Sequence, residues 1–290
     1  MDVVIIFNGL GNQMSQYSFY LNKKMINSAT YFLNFGRDHN GNELDNVFNI
    51  HQSKTVKEKC LYILFRILLT DKIVLYPLKK VFTIFGCKII NENFEYSFKP
   101  EYLKPSKGIK FYYGGWHNEE YFKDSKTQLN EKFQFKTIKD ETNVDYIKKI
   151  KGTNSVAMHI RRGDFLDVNN INLFGNICNI FYYQKAIQLI QEKVTEPYFF
   201  VFSDDLSWVK DNFQIKNVVY VDGNSGKNSW KDMCLMSLCK HNITANSTFS
   251  WWGAWLNKNS LKTVICPNCF IRSEKSSDIY PNSWYKITPE

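Results

Sequence analysis

The stretch "SVAMHIRRGDF" (residues 155–165) joins an apolar run to a dense cluster of charge. The apolar part has the length and composition of a buried strand. Arg161, Arg162 and Asp164 follow at the point where that strand would end. Such an ending predicts either structural ion pairs or a site for a doubly charged anion, and this stretch alone leaves both open.

The two adjacent arginines are expected to have different tasks. In an extended strand the side chains alternate, so His159 and Arg161 share one face while Arg162 takes the other. Arg161 would then donate to phosphate oxygens through its planar fork. Arg162 would pair with Asp164 or another carboxylate and stiffen the turn.

The rest of the chain repeats the pattern of a short apolar run followed by a helical pattern. Strands that alternate with short helices are typical of βαβ units and a parallel sheet. A chain of 290 residues is also long for one core, which favours two domains. We predict an α/β fold with an N-terminal lobe over residues 1–150 and a C-terminal lobe over residues 151–290. The expected strands are 2–7, 155–160, 198–203, 218–222, 241–246 and 263–267, and the expected helices of the second half are 180–194, 229–240 and 250–257.

The composition predicts a folded protein with an anionic partner. Hydrophobic residues make up 44% of the chain, which is enough for packed cores. The net charge of +9 is concentrated in residues 51–110, where 12 Lys and Arg stand against 5 Asp and Glu. A nucleic-acid-binding surface would instead interleave basic and aromatic residues along one face. Because the basic excess lies away from the expected strand ends, we expect no nucleic-acid partner.

Residues 60–86 are rich in both apolar and basic side chains. Charged residues interrupt this segment before it reaches the roughly 20 apolar residues of a membrane-spanning helix. It is either a core helix with a solvated face or a helix that touches an anionic membrane surface. The start of the chain has no basic region ahead of its apolar run, as a signal peptide would. We therefore expect a cytoplasmic protein, and peripheral contact with the inner face of the membrane stays open.

The seven cysteines predict neither a disulfide framework nor a metal centre. Their number is odd, and a cytoplasmic protein keeps its thiols reduced. Cys266 and Cys269 have the spacing of a metal-binding or redox pair, but no second pair accompanies them. The chain also lacks an Asp-x-Asp sequence, which would suit Mg²⁺ beside a phosphate. We expect buried thiols and no metal site.

Polar residues also follow other expected strands. Asp204 and Asp205 come after the strand at 198–203. A carboxylate there can accept both donors of guanine's Watson–Crick edge, or it can cap the next helix. Ser247 and Thr248 precede the last expected helix. They can donate to an anion at the N-terminus of that helix, or cap it without a ligand.

Two loops in the first half carry weaker signals. "FNGLGNQM" (7–14) places two glycines between a strand and a helix, which lets a ligand approach the backbone near Asn12. It lacks the G-x-G-x-x-G spacing of a dinucleotide-binding turn. "YYGGWHNEEYF" (112–122) mixes aromatic and polar groups as a sugar-binding site does, but a packed loop can have the same composition.

The order of these motifs along the chain resembles that of the bacterial α-1,2-fucosyltransferases, glycosyltransferase family 11. The resemblance extends from residue 3 to about residue 270. The "HxRRGD" motif is shared with α-1,6- and protein O-fucosyltransferases, whereas the last of the matching blocks is specific to the family. The blocks are "GLGNQM", "GGWHNEEYF", "HIRRGDF", "FSDDLSWVK" and "DMCLMSLCKHNITANSTFSWWGAWLN".

The resemblance implies a GT-B-like fold, with two Rossmann-like α/β lobes facing across a cleft. It implies GDP-fucose as the donor in the C-terminal lobe, an acceptor in the N-terminal lobe, inversion at the anomeric carbon, and no required metal or other cofactor. The implied reaction moves L-fucose from GDP-β-L-fucose to the 2-hydroxyl of a galactose-type acceptor in a cell-surface glycan, such as O-antigen, capsule or lipopolysaccharide. A GDP-fucose-dependent enzyme of another linkage or acceptor is the alternative.

The resemblance also implies roles for individual residues of the donor site. Arg161 matches the arginine that contacts the β-phosphate of the donor, and it is the expected catalytic group. His159 would lie near the nucleoside, and Asp204 or Asp205 would read guanine. Arg162 keeps its structural role. The other donor-binding residues that the resemblance implies are Asn12, Ser247, Thr248 and Phe249.

The acceptor side of the site is expected in the loop after residue 112. Trp116, His117 and Asn118 lie there, where family members usually have an aromatic-Trp-Gln type of sequence. This departure concerns the identity of the acceptor more than that of the donor. Asp164, His117 and Glu119 are the candidates for a general base, and the sequence does not select among them.

Overall fold

The computed structural model describes residues 1–36, 39–272 and 279–288. These residues form two compact units, Met1–Gln134 and Phe135–Glu290. The division comes before helix α6 (Glu141–Lys151), whereas the sequence placed it after residue 150. Packing explains the difference, because Ile150 at the end of α6 is buried in the core of the second unit with Ala157 and Phe200.

The first unit is built around a four-stranded parallel sheet with the strand order β2–β1–β4–β3. Every residue of the central strand β1 is buried, which is typical of a parallel sheet covered on both faces. The strands are β1 (Asp2–Ile6), β2 (Thr30–Asn34), β3 (Cys87–Asn91) and β4 (Ile109–Tyr113). The helices are α1 (Leu10–Ile26), α2 (Glu43–Phe48), α3 (Val56–Leu69), α4 (Tyr76–Ile84) and α5 (Lys126–Lys132).

The second unit contains a six-stranded parallel sheet with the strand order β10–β9–β8–β5–β6–β7. The strands are β5 (Asn154–Ile160), β6 (Pro197–Ser203), β7 (Val218–Val221), β8 (His241–Ile243), β9 (Val264–Pro267) and β10 (Tyr285–Ile287). The helices that follow α6 are α7 (Ile180–Lys193), α8 (Leu206–Asn212), α9 (Trp230–Leu238) and α10 (Thr248–Trp255).

The predicted α/β fold is confirmed, since each unit has a parallel sheet with helices between its strands. Two such units are what the expected GT-B-like fold contains. All six predicted strands are present, although the one expected at 241–246 ends at Ile243. The prediction did not include β2, β3 and β4 of the first unit or β10 of the second. The side chains of β10 are largely exposed and therefore leave no apolar run.

The core of the second unit lies on both faces of its sheet. Val156, Met158 and Ile160 of β5 pack on the face that α7 covers. Ala157 lies on the other face, in a cluster with Leu235 of α9. This period of two is the expected geometry of a strand, and it places His159 on the face of Ala157.

The strand register brings the charged loops to one edge of the sheet. Ile160 of β5 pairs with Ser203 of β6, so Arg161 and Asp204 follow these strands at the same level. Met158 pairs with Ile243 of β8, which places the loop before α10 on the other side of β5. Because parallel strands end at the same edge, these loops can act on one ligand.

The segment at 60–86 forms most of α3, a short 3₁₀ turn over Ile73–Leu75, and α4. Leu61, Phe65 and Leu68 of α3 are buried in the core of the first unit, so α3 is a core helix with one solvated face. Over the ranges described, the chain has no helix whose length and apolar character would let it cross a bilayer.

Candidate active site

Arg161 sits at the carboxyl edge of the second sheet, directly after β5, with a third of its side chain exposed. Its Nε and Nη2 lie 2.9 and 2.7 Å from Oδ1 of Asp164, and its Nη1 lies 2.9 Å from Oδ2 of Asp204. The guanidinium is therefore held in one orientation by two carboxylates. Of the two alternatives for Arg162, Asp164 or another carboxylate, Asp164 is excluded because it binds Arg161.

Arg162 is anchored by different groups. Its Nε donates to Oδ2 of Asp205 at 3.2 Å, and its guanidinium carbon lies 3.7 Å from the centroid of the Trp208 ring. Its backbone N–H donates to Oδ1 of Asp204 at 2.9 Å. The contacts fit the structural role predicted for Arg162, with Asp205 as the carboxylate partner.

The two aspartates of "FSDD" are both engaged with protein groups. Asp204 accepts from Arg161 and from the backbone of Arg162. Asp205 caps α8 by accepting from the backbone N–H of Trp208 at 3.1 Å, which confirms the capping interpretation for this residue. Recognition of guanine by either carboxylate stays a prediction.

The ion-pair cluster of Arg161, Arg162 and Asp204 leaves no room for a side chain at Gly163. A Cβ at this position would lie 2.7 Å from Oδ2 of Asp204 and 3.3 Å from its Cγ. Any larger side chain would therefore push on the carboxylate that links the two arginines. The glycine of "HIRRGDF" is explained by this close approach.

His159 is buried and electrically neutral. Burial, together with the nearby charge of Arg161, lowers the pKa of His159 to about 3. Its ring centroid lies 5.9 Å from that of Phe249, and its carbonyl accepts from the hydroxyl of Tyr183 at 3.0 Å. Its Nδ1 has no hydrogen-bond partner among the residues that the structure describes. The contact of His159 with a nucleoside stays a prediction.

The N-terminus of α10 presents small hydroxyl side chains. Ser247 caps the helix by accepting from the backbone N–H of Phe249 at 3.3 Å. Thr248 is nearly buried, and its hydroxyl makes no hydrogen bond within the described ranges. Trp251 and Trp252 are buried core residues. The capping interpretation is confirmed for Ser247, and a role in phosphate binding stays a prediction for both hydroxyl residues.

The turn between β1 and α1 is held by Gln13. Its Nε2 donates to the carbonyls of Asn8 and Gly41, and its Oε1 accepts from the backbone N–H groups of Glu43 and Leu44. Asn12, in contrast, is half-buried, and its side chain has no hydrogen-bond partner in the described part of the chain. Asn12 therefore keeps its amide for a ligand, while Gln13 is structural.

The loop after β4 is packed into the first unit. Trp116 is completely buried, and its ring stacks on Phe19 with 4.5 Å between centroids. The backbone N–H groups of Gly115 and Trp116 donate to the buried carboxylate of Glu92 at 2.7 and 2.9 Å. The ring of Trp116 is thus a core residue, and the acceptor role predicted for it stays a prediction.

His117 and Asn118 continue this packed loop. His117 is buried beside Tyr96, with 5.0 Å between ring centroids, and burial lowers the pKa of His117 to about 3. So weak a base is poorly suited to take a proton near neutral pH. Asn118 is also buried and caps a 3₁₀ turn by accepting from the backbone N–H of Glu120 at 2.9 Å. Glu119, the remaining base candidate in this loop, is half-buried.

Asp232 was not identified from the sequence as a residue of interest. Asp232 lies in the first turn of α9 and accepts from the side-chain amide of Asn224 at 2.8 Å. Burial, with a smaller contribution from the charge of Asp222, raises the pKa of Asp232 to about 7 against the opposing effect of this hydrogen bond. The available signal was an acid directly before the apolar run "MCLM" at a helix start.

Cys266 and Cys269, which were expected from the sequence to be ordinary buried thiols, lie in and after β9. Cys266 is buried and Cys269 half-buried, and burial raises the pKa of both thiols. Within residues 1–36, 39–272 and 279–288, no group of three or more His, Cys, Asp or Glu side chains is arranged to hold a metal ion.

Comparison with known proteins places this geometry in a family. The family model described as Glycosyl transferase family 11 matches residues 3–288. The alpha-1,2-colitosyltransferase of Escherichia coli is 33% identical over 99% of each chain. The O-antigen biosynthesis glycosyltransferase WbnK of Escherichia coli is 30% identical over 96% of this chain and 98% of its own. Galactoside alpha-(1,2)-fucosyltransferase 1 of Ateles belzebuth is 31% identical over 35% of this chain and 28% of its own.

The match covers both units, from β1 through to the strand at the far edge of the second sheet, and two relatives align along almost their whole lengths. It includes the arginine and aspartate cluster after β5 and the helix N-terminus after β8. The chain belongs to glycosyl transferase family 11 and is a glycosyltransferase.

Proposed function

We propose that the protein transfers L-fucose from GDP-β-L-fucose to the 2-hydroxyl of a galactose-type acceptor in a bacterial surface glycan, with inversion at the anomeric carbon. The observation that carries the proposal is Arg161, which is oriented by two carboxylates at the carboxyl edge of β5. The names of an α-1,2-colitosyltransferase and of galactoside α-(1,2)-fucosyltransferases among its relatives support the linkage. A relative named for O-antigen biosynthesis supports the class of acceptor.

The proposed chemistry depends on charge at the leaving group. Departure of GDP leaves negative charge on the β-phosphate, and Arg161 can donate to it in a fixed geometry. The N-terminus of α10, with Ser247 and Thr248, adds partial positive charge and donors. The sugar passes through an oxocarbenium-like state, so the acceptor hydroxyl loses its proton late. The chain's own groups thus supply the charge stabilisation, and we propose that no metal is required.

The nucleoside half of the donor would contact His159 and Phe249. Because the pKa of His159 is lowered to about 3, the ring is uncharged and can accept a hydrogen bond at Nδ1. The half-buried Phe249 offers an apolar surface next to it. Asp204 and Asp205 remain candidates for guanine, although their contacts with the arginines already account for their presence.

Colitose is the second candidate donor sugar. The relative named α-1,2-colitosyltransferase aligns over the whole chain. Colitose is L-fucose without its 3-hydroxyl group, so the two sugars place the same leaving group on the same anomeric carbon. A donor panel must therefore contain both GDP-fucose and GDP-colitose.

The test is release of GDP by the purified protein in EDTA, with each donor and a panel of β-galactosides. We expect turnover with one of the two donors, and an α-1,2 linkage in the product by NMR. Arg161→Ala should abolish it, whereas Arg66→Ala, a matched change on an exposed helix face, should not. Turnover that needs added metal, or a product with another linkage, would refute the corresponding part of the proposal.

A further inference from the structure

The surface formed by α3, the 3₁₀ turn and α4 exposes an unusual amount of apolar side chain. We call the exposed residues of 60–86 the α3–α4 surface. Single exposed apolar residues are ordinary, but a contiguous group of them marks an interaction site. Six apolar residues of this surface have more than half of their area exposed, namely Ile63 (58%), Ile73 (88%), Val74 (89%), Tyr76 (66%), Ile84 (73%) and Phe85 (76%).

This exposure belongs to a well-anchored part of the fold. Phe65 and Leu68 of α3 are buried in the core of the first unit, and Phe82 of α4 packs against the same core. Tyr76, Lys80 and Ile84 follow one another at intervals of four, so they share one face of α4. Phe82 points inward, and this apolar and basic face is therefore presented to the outside.

Basic side chains lie among the apolar ones without partners. Arg66, Lys72 and Lys80 are exposed, and in the described ranges their side chains form no ion pair or hydrogen bond. Lys79 donates to the carbonyl of Thr70 and lies 4.0 Å from the carboxylate of Asp71. Three cations without a charged partner in the described part of the chain therefore lie in the same segment as the exposed apolar residues, and Lys80 shares a face of α4 with Tyr76 and Ile84.

We propose that the α3–α4 surface docks on an anionic lipid bilayer. An interfacial helix combines apolar side chains that enter the headgroup region with Lys and Arg that pair with anionic lipids. A nucleic acid would use the charges but leave Ile73, Val74 and Ile84 in water. A protein partner would need acids placed opposite three separate cations, whereas a lipid surface meets them in any arrangement. The inference does not depend on the identity of the donor or acceptor.

The test is co-sedimentation of the full chain with vesicles of phosphatidylcholine, with and without 30% phosphatidylglycerol. Each basic residue at such a surface contributes roughly five-fold in affinity, so three predict about a hundred-fold preference for the anionic vesicles. The preference should weaken as salt rises from 0.1 M to 1 M, where the Debye length falls from about 10 to about 3 Å.

Two variants separate the charge from the apolar contribution. Arg66→Gln, Lys72→Gln and Lys80→Gln together should remove most of that preference, about a hundred-fold. A second variant carries Ile73→Ser, Val74→Ser, Ile84→Ser and Phe85→Ser, and it should lose the binding that persists at high salt. All of these residues are exposed, so circular dichroism and GDP release with a soluble galactoside should match the parent protein.

The matched control carries Lys216→Gln, Lys258→Gln and Leu261→Ser, which are exposed positions in the second unit. It should bind vesicles as the parent does. Equal binding to neutral and anionic vesicles, or unchanged binding by both variants, would overturn the proposal. A third result would also overturn the proposal: the parent protein self-associates as its concentration rises, the same variants abolish this self-association, and the parent does not bind vesicles. A second copy of the chain would then cover the surface.

Discussion

Alanine at position 161 would remove the guanidinium that donates to Asp164 and Asp204, and lysine at position 162 would keep a charge but lose the planar fork. Removal of one preorganised donor to a developing negative charge costs about 100- to 1,000-fold in kcat. Arg161→Ala should therefore lower kcat by at least that factor. Arg162 contacts Asp205 and Trp208 instead, so Arg162→Lys should keep kcat within about ten-fold.

The two variants should show the opposite order in stability. The ion pairs of Arg161 are between about a quarter and nearly half exposed, and such pairs contribute roughly 0–1 kcal/mol to the free energy of unfolding. Arg162 loses a stacking contact at 3.7 Å and the group that orients Asp205, which together cost about 1–2 kcal/mol. Arg161→Ala is thus expected to be stable and inactive, and Arg162→Lys active and less stable.

The assay pairs GDP release at saturating donor with chemical denaturation on the same preparations. Arg66→Ala serves as the control for loss of an exposed guanidinium. An equal fall of kcat in both variants would refute the separate roles of the arginines. A fall of several kcal/mol in the stability of Arg161→Ala would refute the reasoning from exposure.

Three further changes test single features of the site. Asp164→Asn keeps an oxygen that can accept a hydrogen bond from Arg161. If Asp164 positions the arginine, kcat should therefore fall less than about 100-fold. A loss of kcat beyond about 1,000-fold at unchanged stability would instead identify Asp164 as the general base. Gly163→Ala places a Cβ 2.7 Å from Oδ2 of Asp204, so it should destabilise by about 1–3 kcal/mol in denaturation and raise the KM for the donor; unchanged values would contradict the close approach. Burial raises the pKa of Asp232 from 3.8 to about 7. The folded state therefore favours the protonated form of this carboxyl group. As a result, the free energy of unfolding should fall as the pH rises from about 4 to about 7. At 1.36 kcal/mol per pH unit the loss is at most about 4 kcal/mol, and Asp232→Asn should lack it; parallel pH profiles of the two proteins would refute the burial effect.

Strands that are buried along their whole length could be predicted because they read as apolar runs, whereas the central strand β4, which is only partly buried, was missed. β1 and β5 are the clearest cases, and both were found where the sequence placed them. β10 could not be found in this way, because its side chains are exposed and its pairing with β9 depends on the rest of the sheet.

Asp164 was wrong as a partner for Arg162 for a local reason. The alternation of side chains was extended to Arg162, but β5 ends at Ile160 and a 3₁₀ turn begins at Gly163. In that turn the chain folds back, so Asp164 reaches Arg161 three residues before it. Strand periodicity says nothing about residues beyond the last pair of the ladder.

The loop at 112–122 could not be assigned for a different reason. Its aromatic and polar residues are typical of a sugar site and of a packed loop alike. What decides between them is Phe19 of α1, which lies against Trp116 but is distant in sequence. When the residues that bury a loop lie far along the chain, the sequence of the loop itself does not show that it will be buried.

The carboxylates around Arg161 do not compete with a phosphate for its donors. A guanidinium has five N–H groups. Three contacts hold Arg161 in this structure, through Nε and Nη2 to Asp164 and through Nη1 to Asp204. At least two N–H groups, one on each terminal nitrogen, therefore remain. Under the proposed function, the phosphate of the donor would bind to these two groups while both carboxylates stay in place. The aspartates of "HIRRGDF" and "FSDD" would then orient the arginine before the ligand arrives, and the structural ion pairs would form part of the proposed anion site.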